Sequence, residues 1–147
     1  MTKEVQGLIN KSKHAIKVAQ ELLAQGYPSD SASKSYYAIF YAAQALLKSA
    51  KIDVIKHSAV EAAVGFHFVK AGKIDQKYHR ILLDARKLRE IADYDIQEEV
   101  VRPQAAVKIQ EAKDFLKLVQ KFVRPSQLAS RLNNKQIVSL IRKDRSR

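Results

Sequence analysis

The sequence predicts an all-α domain, an antiparallel bundle of four to five helices followed by a short basic helical C-terminal tail. Three observations carry this expectation. Apolar residues recur every three or four positions rather than every two, which is the period of amphipathic helices. Chain-breaking residues are scarce, with 4 Gly and 3 Pro in 147 residues. No stretch alternates apolar and polar residues as a half-buried strand does.

A first helix is expected over residues 4–25, where Val5, Leu8, Ile9, Ser12, Ile16, Ala19 and Leu23 form one stripe and Gly26-Tyr27-Pro28 ends it. Ser29, Asp30 and Ser31 offer side-chain oxygens to the free amides of a second helix, which runs to about Lys51. Its stripe of Ala32, Tyr36, Ile39, Phe40, Ala43, Leu46, Leu47 and Ala50 places it at the centre of the core. A third helix, residues 57–71, turns Val60, Val64 and Phe68 inward and stops at Gly72, and a fourth, 76–92, carries Tyr78, Ile81, Leu82, Ala85, Leu88 and Ala92. Residues 93–102 have no clear period and read as a loop or a frayed helix end. Pro103 suits the first turn of a fifth helix, because its missing amide would be unbonded there anyway. Ala106, Ile109, Ala112, Leu116, Val119 and Val123 keep the spacing as far as Pro125. The division expected is a bundle over 1–123 and a basic tail over 124–147, where Leu128, Leu132, Ile137, Val138, Leu140 and Ile141 can build one or two short amphipathic helices.

The chain has no cysteine, which excludes disulfides and thiolate metal sites and is compatible with the cytoplasm, the default compartment. No apolar run reaches the length of a signal peptide core or a membrane span, so a soluble protein with no membrane partner is expected. Net charge is +12, with Lys+Arg 27 against Asp+Glu 15. A balance this basic favours a polyanionic partner, because each phosphate neutralised releases condensed counterions. Half of the excess lies in 124–147, where seven basic residues face Asp144 alone.

Tyr36 lies on the apolar stripe of the second helix, whereas Tyr37 and Tyr41 lie four apart on an adjacent face, either as packing or as a polar rim that binds. Arg89 falls on the stripe of Ala85, Leu88 and Ala92, so it points toward or beside an interface, where a charge is tolerated only if paired. It either serves a structural ion pair with Asp93, Asp95, Glu98 or a neighbouring subunit, or works in catalysis, and Arg86 on the adjoining face can share the same anion. His57 stands where a helix starts, four residues before Glu61. It can do acid–base work, help to terminate the helix or pair with a carboxylate. His67 and His79 read as solvent-facing or rim residues. No metal and no cofactor is expected: Asp93 and Asp95 lack accompanying ligands at suitable spacing, and no phosphate-cradling Gly-rich loop or nucleophile elbow is present.

Ser-Tyr-Tyr-Ala-Ile-Phe-Tyr-Ala-Ala-Gln-Ala-Leu-Leu at 35–47, then Lys56-His57-Ser58, then Arg89-Glu90-Ile91-Ala92-Asp93-Tyr94 together resemble the HEPN (higher eukaryotes and prokaryotes nucleotide-binding) family. The likeness is to its prokaryotic branch with an aromatic-rich second helix and an Arg-x-x-x-Asp-Tyr ending, and it covers roughly residues 4–123. It implies a bundle of four or five helices, frequently a homodimer, and frequently a toxin–antitoxin partnership with a small nucleotidyltransferase. Nucleotidyl transfer onto a Tyr of this motif region is a theme of the family, which makes Tyr94 the candidate acceptor.

Many members are metal-independent ribonucleases with an Arg-x(4–6)-His motif, in which the imidazole moves the 2′-hydroxyl proton and the guanidinium steadies the phosphorane oxyanions. Here Arg89 matches the motif, but Tyr94 stands five residues on, and no His follows His79. A phenol of ordinary pKa near ~10 is a poor base at neutral pH. The candidate site is therefore Arg89 and Tyr94 as catalytic residues, with Arg86, Tyr37, Tyr41, His57 and Asp93 in binding. The expected function is an RNA- or nucleotide-associated protein of a toxin–antitoxin or stress-defence pair. The alternatives are a non-catalytic dimerising adaptor for the nucleotidyltransferase, or an RNA-binding module acting through its basic tail. Arg89 and Tyr94 are expected to emerge together in an open, positively charged groove.

Overall fold

The structure, a computed structural model, describes residues 1–131, with side chains as far as Val123. Among these residues there are five helices and no strand: α1 Lys3–Ala24, α2 Pro28–Ser49, α3 His57–Val64, α4 Gln76–Tyr94 and α5 Arg102–Arg131. The predicted tail beyond residue 131 lies outside the described residues. None of the described helices is long and apolar enough to cross a membrane.

Helix α2 sits at the centre and packs against α1, α3, α4 and α5. Its predicted stripe is buried except for Ala50, which lies past the helix end and is exposed. Burial also extends to Ala38, Ala42 and Ala45, a second face of small side chains that allows close approach of neighbouring helices. In the α1–α2 contact the buried Ser12 hydroxyl donates to the Ala38 carbonyl at 2.7 Å, and the Ser31 hydroxyl donates to the Ala19 carbonyl at 2.8 Å. Each such bond contributes about 1 kcal/mol net, and losing the hydroxyl costs little more because the carbonyls already serve their own helices.

The ends of the helices explain where the sequence expectation shifts. Thr2 caps α1 by accepting from the Val5 amide at 3.1 Å. The α2 start is not capped by Ser29, Asp30 or Ser31 as expected. Pro28 takes the first helical position, where no amide needs a partner, and Ser31 turns to α1 instead. Helix α1 ends with Gly26 at φ +90 and the Tyr27 amide bonded back to Leu22 O, and α2 ends the same way with Ile52 bonded back to Leu47 O. In α2, however, the left-handed position is filled by Lys51 at φ 61.

The predicted third helix is one continuous run, but it widens after Val64 into a π-helical turn, Gly65–Val69, closed by Lys70 N to Gly65 O at 2.8 Å. Side-chain periodicity does not distinguish such a turn. A Cβ at Gly65 would lie 3.1 Å from His79 Nε2, so the turn is pressed against α4. Helix α4 is capped by Asp75, which accepts from the Lys77 amide at 2.8 Å. It runs two residues beyond the expected end, so that Asp93 and Tyr94 are helical rather than in a loop.

Pro103 is the second residue of α5, and Gln104 Oε1 accepts from the Val101 amide at 2.9 Å to close the first turn. Ala105, not Ala106, begins the buried stripe, which continues through Ile109, Ala112, Leu116, Val119 and Val123 with Phe115 beside it. Val100 in the preceding segment packs with Ala105, Ala19 and Leu23, and Arg102 donates to Leu23 O at 3.1 Å, which fixes that rotation. The α5 backbone continues through Pro125 to Arg131, across the boundary expected at 123/124.

A side chain in the left-handed region carries a steric cost that glycine avoids. Lys51→Gly is therefore expected to stabilise the chain by roughly 0.5–1 kcal/mol in urea unfolding, since the relieved strain exceeds the entropy that glycine loses. A variant less stable than the parent would show that the Lys51 side chain contributes more than its backbone costs.

Candidate functional site

Along α4, Arg86, Arg89 and Asp93 recur at intervals of three and four, so they stack on one side of the helix beside the buried Leu82 and Ala85. That side faces Tyr36 and Tyr37 of α2 and the start of α3, where His57 is the first residue. The Arg89 guanidinium carbon stands 5.9 Å from the Tyr36 ring centroid, 5.4 Å from that of Tyr37 and 5.5 Å from that of Tyr94. Three aromatic faces thus surround one cation, each attracted to it through the ring quadrupole. Arg89 Nη2 is 3.4 Å from the Tyr94 hydroxyl, whose side chain is 72% exposed at the edge of the corner.

Asp93 Oδ2 is 3.0 Å from Arg89 Nε, yet Nε makes no directed hydrogen bond, so the contact is Coulombic rather than a forked pair. The same oxygen accepts from Ser33 of α2 at 3.4 Å, a long contact. Arg86 holds Glu61 of α3 at 2.7 Å and Glu90 at 3.4 Å. Of these two pairs that with Glu61 is the shorter and the more buried, and the other Glu61 oxygen has no hydrogen-bond partner among the described residues.

Tyr36, which lies on the apolar stripe of the second helix, is fully buried, and its hydroxyl is bonded to His57 Nδ1. Burial, assisted by the Glu61 carboxylate, pushes the Tyr36 phenol well above its usual range, so it keeps its proton. His57 Nδ1 is the hydroxyl's partner among the described residues, and because a buried phenol that keeps its proton needs an acceptor, the fitting tautomer of a neutral imidazole carries its hydrogen on Nε2. The imidazole stacks on Phe40 with ring centroids 4.3 Å apart. Burial, and then the Arg89 and Arg86 guanidiniums, hold it below the ordinary histidine value, against an opposing pull from Glu61.

The corner thus brings together Arg86, Arg89, Asp93, Tyr94, Tyr37 and His57. Tyr41 lies one turn from Tyr37, with centroids 6.2 Å apart, and lines the groove between α1 and α2 instead. His57 does not pair with Glu61, because Glu61 is engaged by Arg86. Asp95 is not an Arg89 partner: it accepts the Glu98 and Gln97 amides at 2.9 and 2.8 Å, which lower its pKa. His79 is not a free rim residue, since its Nε2 donates to the Glu61 carbonyl at 2.9 Å. His67 is exposed. No group of three potential metal ligands occurs among the described residues.

The charge of the corner differs from the expectation. Arg86 and Arg89 are matched by Glu61, Glu90 and Asp93, so the corner itself is not a field of positive charge. Glu61 and Tyr36 were the two participants the sequence reading did not assign. Both sit at core positions, and periodicity reports burial without reporting the partner across the helix boundary.

A model described as the HEPN domain matches residues 5–128. The chain belongs to the HEPN family. Among its relatives, a UPF0332 protein of Gloeobacter violaceus is 31% identical over 84% of this chain and 98% of its own length. A protein of Methanocaldococcus jannaschii named "Putative toxin" is 31% identical over 82% of this chain and 90% of its own. A UPF0332 protein of Pyrococcus horikoshii is 36% identical over 67% of this chain and 70% of its own. In this HEPN chain the motif arginine is held by its aromatic cage and its ion pair, while the imidazole nearest to it comes from α3 rather than from the end of α4.

His57 gives the HEPN bundle a defined acid sensitivity. As pH falls through about 6.5, an unfolded chain protonates this imidazole, whereas the folded chain resists until lower pH. The stability present above that range is therefore lost on acidification. The melting temperature is expected to drop between about pH 7.5 and about pH 5, and His57→Gln is expected to flatten that part of the curve. Equal slopes in the two proteins would assign the effect to other groups.

Proposed function

We propose that this chain is a toxin-like HEPN protein that engages the phosphate of RNA or of a nucleotide at the Arg89–Tyr94 corner. The observation that carries the reading is the state of Arg89. Its guanidinium is positioned by three tyrosine rings and by a single Coulombic contact to Asp93, and it faces an exposed phenol. A guanidinium is always charged and matches a phosphate with two parallel donors, which Asp93 does not use. A phosphate replacing Asp93 would gain that fork, with the Tyr94 hydroxyl as a further donor. Support also comes from the "Putative toxin" name of two relatives.

Binding is better supported than cleavage by the imidazole route. No imidazole stands at position 94, and His57, in the tautomer that accepts from the Tyr36 hydroxyl, presents an N–H at Nε2 rather than a base. Fluorescence anisotropy of the full chain with single-stranded RNA tests the reading. Affinity is expected to fall steeply between about 50 and 200 mM salt, and Arg89→Ala is expected to weaken it about ten-fold or more. Arg89→Gln, which keeps most of the packing, controls for folding. Salt-insensitive binding, or affinity equal to the parent's in both variants, would remove the proposal.

A second reading is favoured by the exposure of Tyr94. At 72% exposed, and with Arg89 beside the hydroxyl, this phenol is open to a nucleotidyltransferase partner that would modify it, with the bundle itself acting as a homodimeric adaptor. Incubation with a small nucleotidyltransferase of the kind the family resemblance implies, and ATP, is expected to add one nucleotidyl unit by intact-mass measurement and none to Tyr94→Phe. An unchanged parent mass would eliminate this reading.

A further inference from the structure

Next to the corner, and sharing Tyr37 with it, runs a groove between α1 and α2 of about 570 Å³, within the size range of small-ligand sites. Its walls carry Lys11, His14 and Asn10 from α1 and Lys34, Tyr37 and Tyr41 from α2, and no carboxylate lines it. Lys11 Nζ stands 5.5 Å from the Tyr41 centroid, so one face of that ring is turned to the groove rather than to the core. Lys11, His14 and Lys34 are exposed, whereas Tyr37 and Tyr41 are half-buried and anchored against the core. Rigid aromatic rings with mobile cations around them are what a base and its phosphate require: the ring supplies a stacking platform indifferent to sequence, and the lysines follow the backbone.

Tyr37 belongs to both places. Its ring lines the groove and lies 5.4 Å from the Arg89 guanidinium. The paired cations of the corner are balanced by carboxylates, whereas the lining of the adjoining groove holds two lysines and no carboxylate, so of these two places the groove is the more attractive to a polyanion. We propose that the α1–α2 groove is a subsite for single-stranded RNA, stacking a base on Tyr41 and holding the flanking phosphate with Lys11 and Lys34, so that the strand passes Tyr37 towards Arg89. This extends the phosphate-binding reading of the corner and rests on it for the direction of the strand.

Anisotropy titrations of the full chain with a labelled oligoadenylate RNA, repeated across salt concentrations, test the subsite. Lys11→Glu changes an exposed side chain and is expected to weaken binding about ten-fold and to lower the salt slope by about one. Tyr41→Ala is expected to cost roughly five- to a hundred-fold, while Tyr41→Phe, which keeps the ring, binds like the parent. If Tyr41→Ala does not fold, Lys34→Glu takes its place with the same expectation as Lys11→Glu. Unaltered affinity in the groove variants alongside a loss in Arg89→Ala would overturn the subsite and leave the corner standing. Loss in the groove variants with Arg89→Ala unaffected would do the reverse, retaining the subsite and removing the corner. AMP binding as tightly as the oligonucleotide would overturn the strand in favour of a free nucleotide, and a parent protein that binds neither would overturn both.

Discussion

The corner depends on the neutralisation of two arginines that α4 presses against a helix of buried aromatic residues. Arg86 meets Glu61 at 2.7 Å, and because Glu61 is almost wholly withdrawn from water, this pair fixes α3 against α4. Removing one member of a fully buried pair costs about 3–5 kcal/mol, mostly by stranding the other charge. Arg86 keeps a side-chain exposure of 35%, so solvent screens part of that loss and the cost here is smaller. What the pair secures is position. It sets the start of α3, and hence the imidazole of His57, relative to the arginines one turn apart on α4.

Charge and chemistry are therefore divided between neighbouring places. The chain as a whole is strongly basic, with a formal charge of +12, but the motif arginines stand among carboxylates. Two lysines with no carboxylate among the groove's lining, Lys11 and Lys34, lie on the α1–α2 side, and Tyr37 is shared by the two places. Long-range attraction and local orientation need not come from the same residues, since the first falls off over the Debye length and the second requires contact. A composition averages over this division and cannot reveal it.

The bundle was legible because helices declare themselves through a spacing of three and four, and the stripes of α1, α2 and α3 lie nearly where that spacing puts them. Misreadings occurred where tertiary contact overrides local signal. Ala106 and Ala105 differ by one residue, which on a helix is a rotation of about 100°, and Val100 together with the Arg102 bond to Leu23 decides between them. Ser31 was available as a cap but found a carbonyl on α1. The α4 end carries no glycine or proline to mark it, so Asp93 and Tyr94 lay beyond the readable period although both belong to the helix. For the site, Arg89 and Tyr94 were singled out by a motif, while Glu61 and Tyr36 act through contacts between helices that no one-dimensional pattern encodes.

Gly65 shows how far such contacts reach. Nothing about its backbone demands glycine, for it lies in an ordinary right-handed conformation. It is the neighbouring imidazole of His79, tethered to the Glu61 carbonyl, that a methyl group would crowd at 3.1 Å. The residue whose carbonyl provides that tether is the one whose carboxylate grips Arg86. A methyl group one turn along from Glu61 would thus push on the imidazole that Glu61 tethers, and the small size of position 65 lets α3 and α4 approach as closely as they do beside the Arg86 pair.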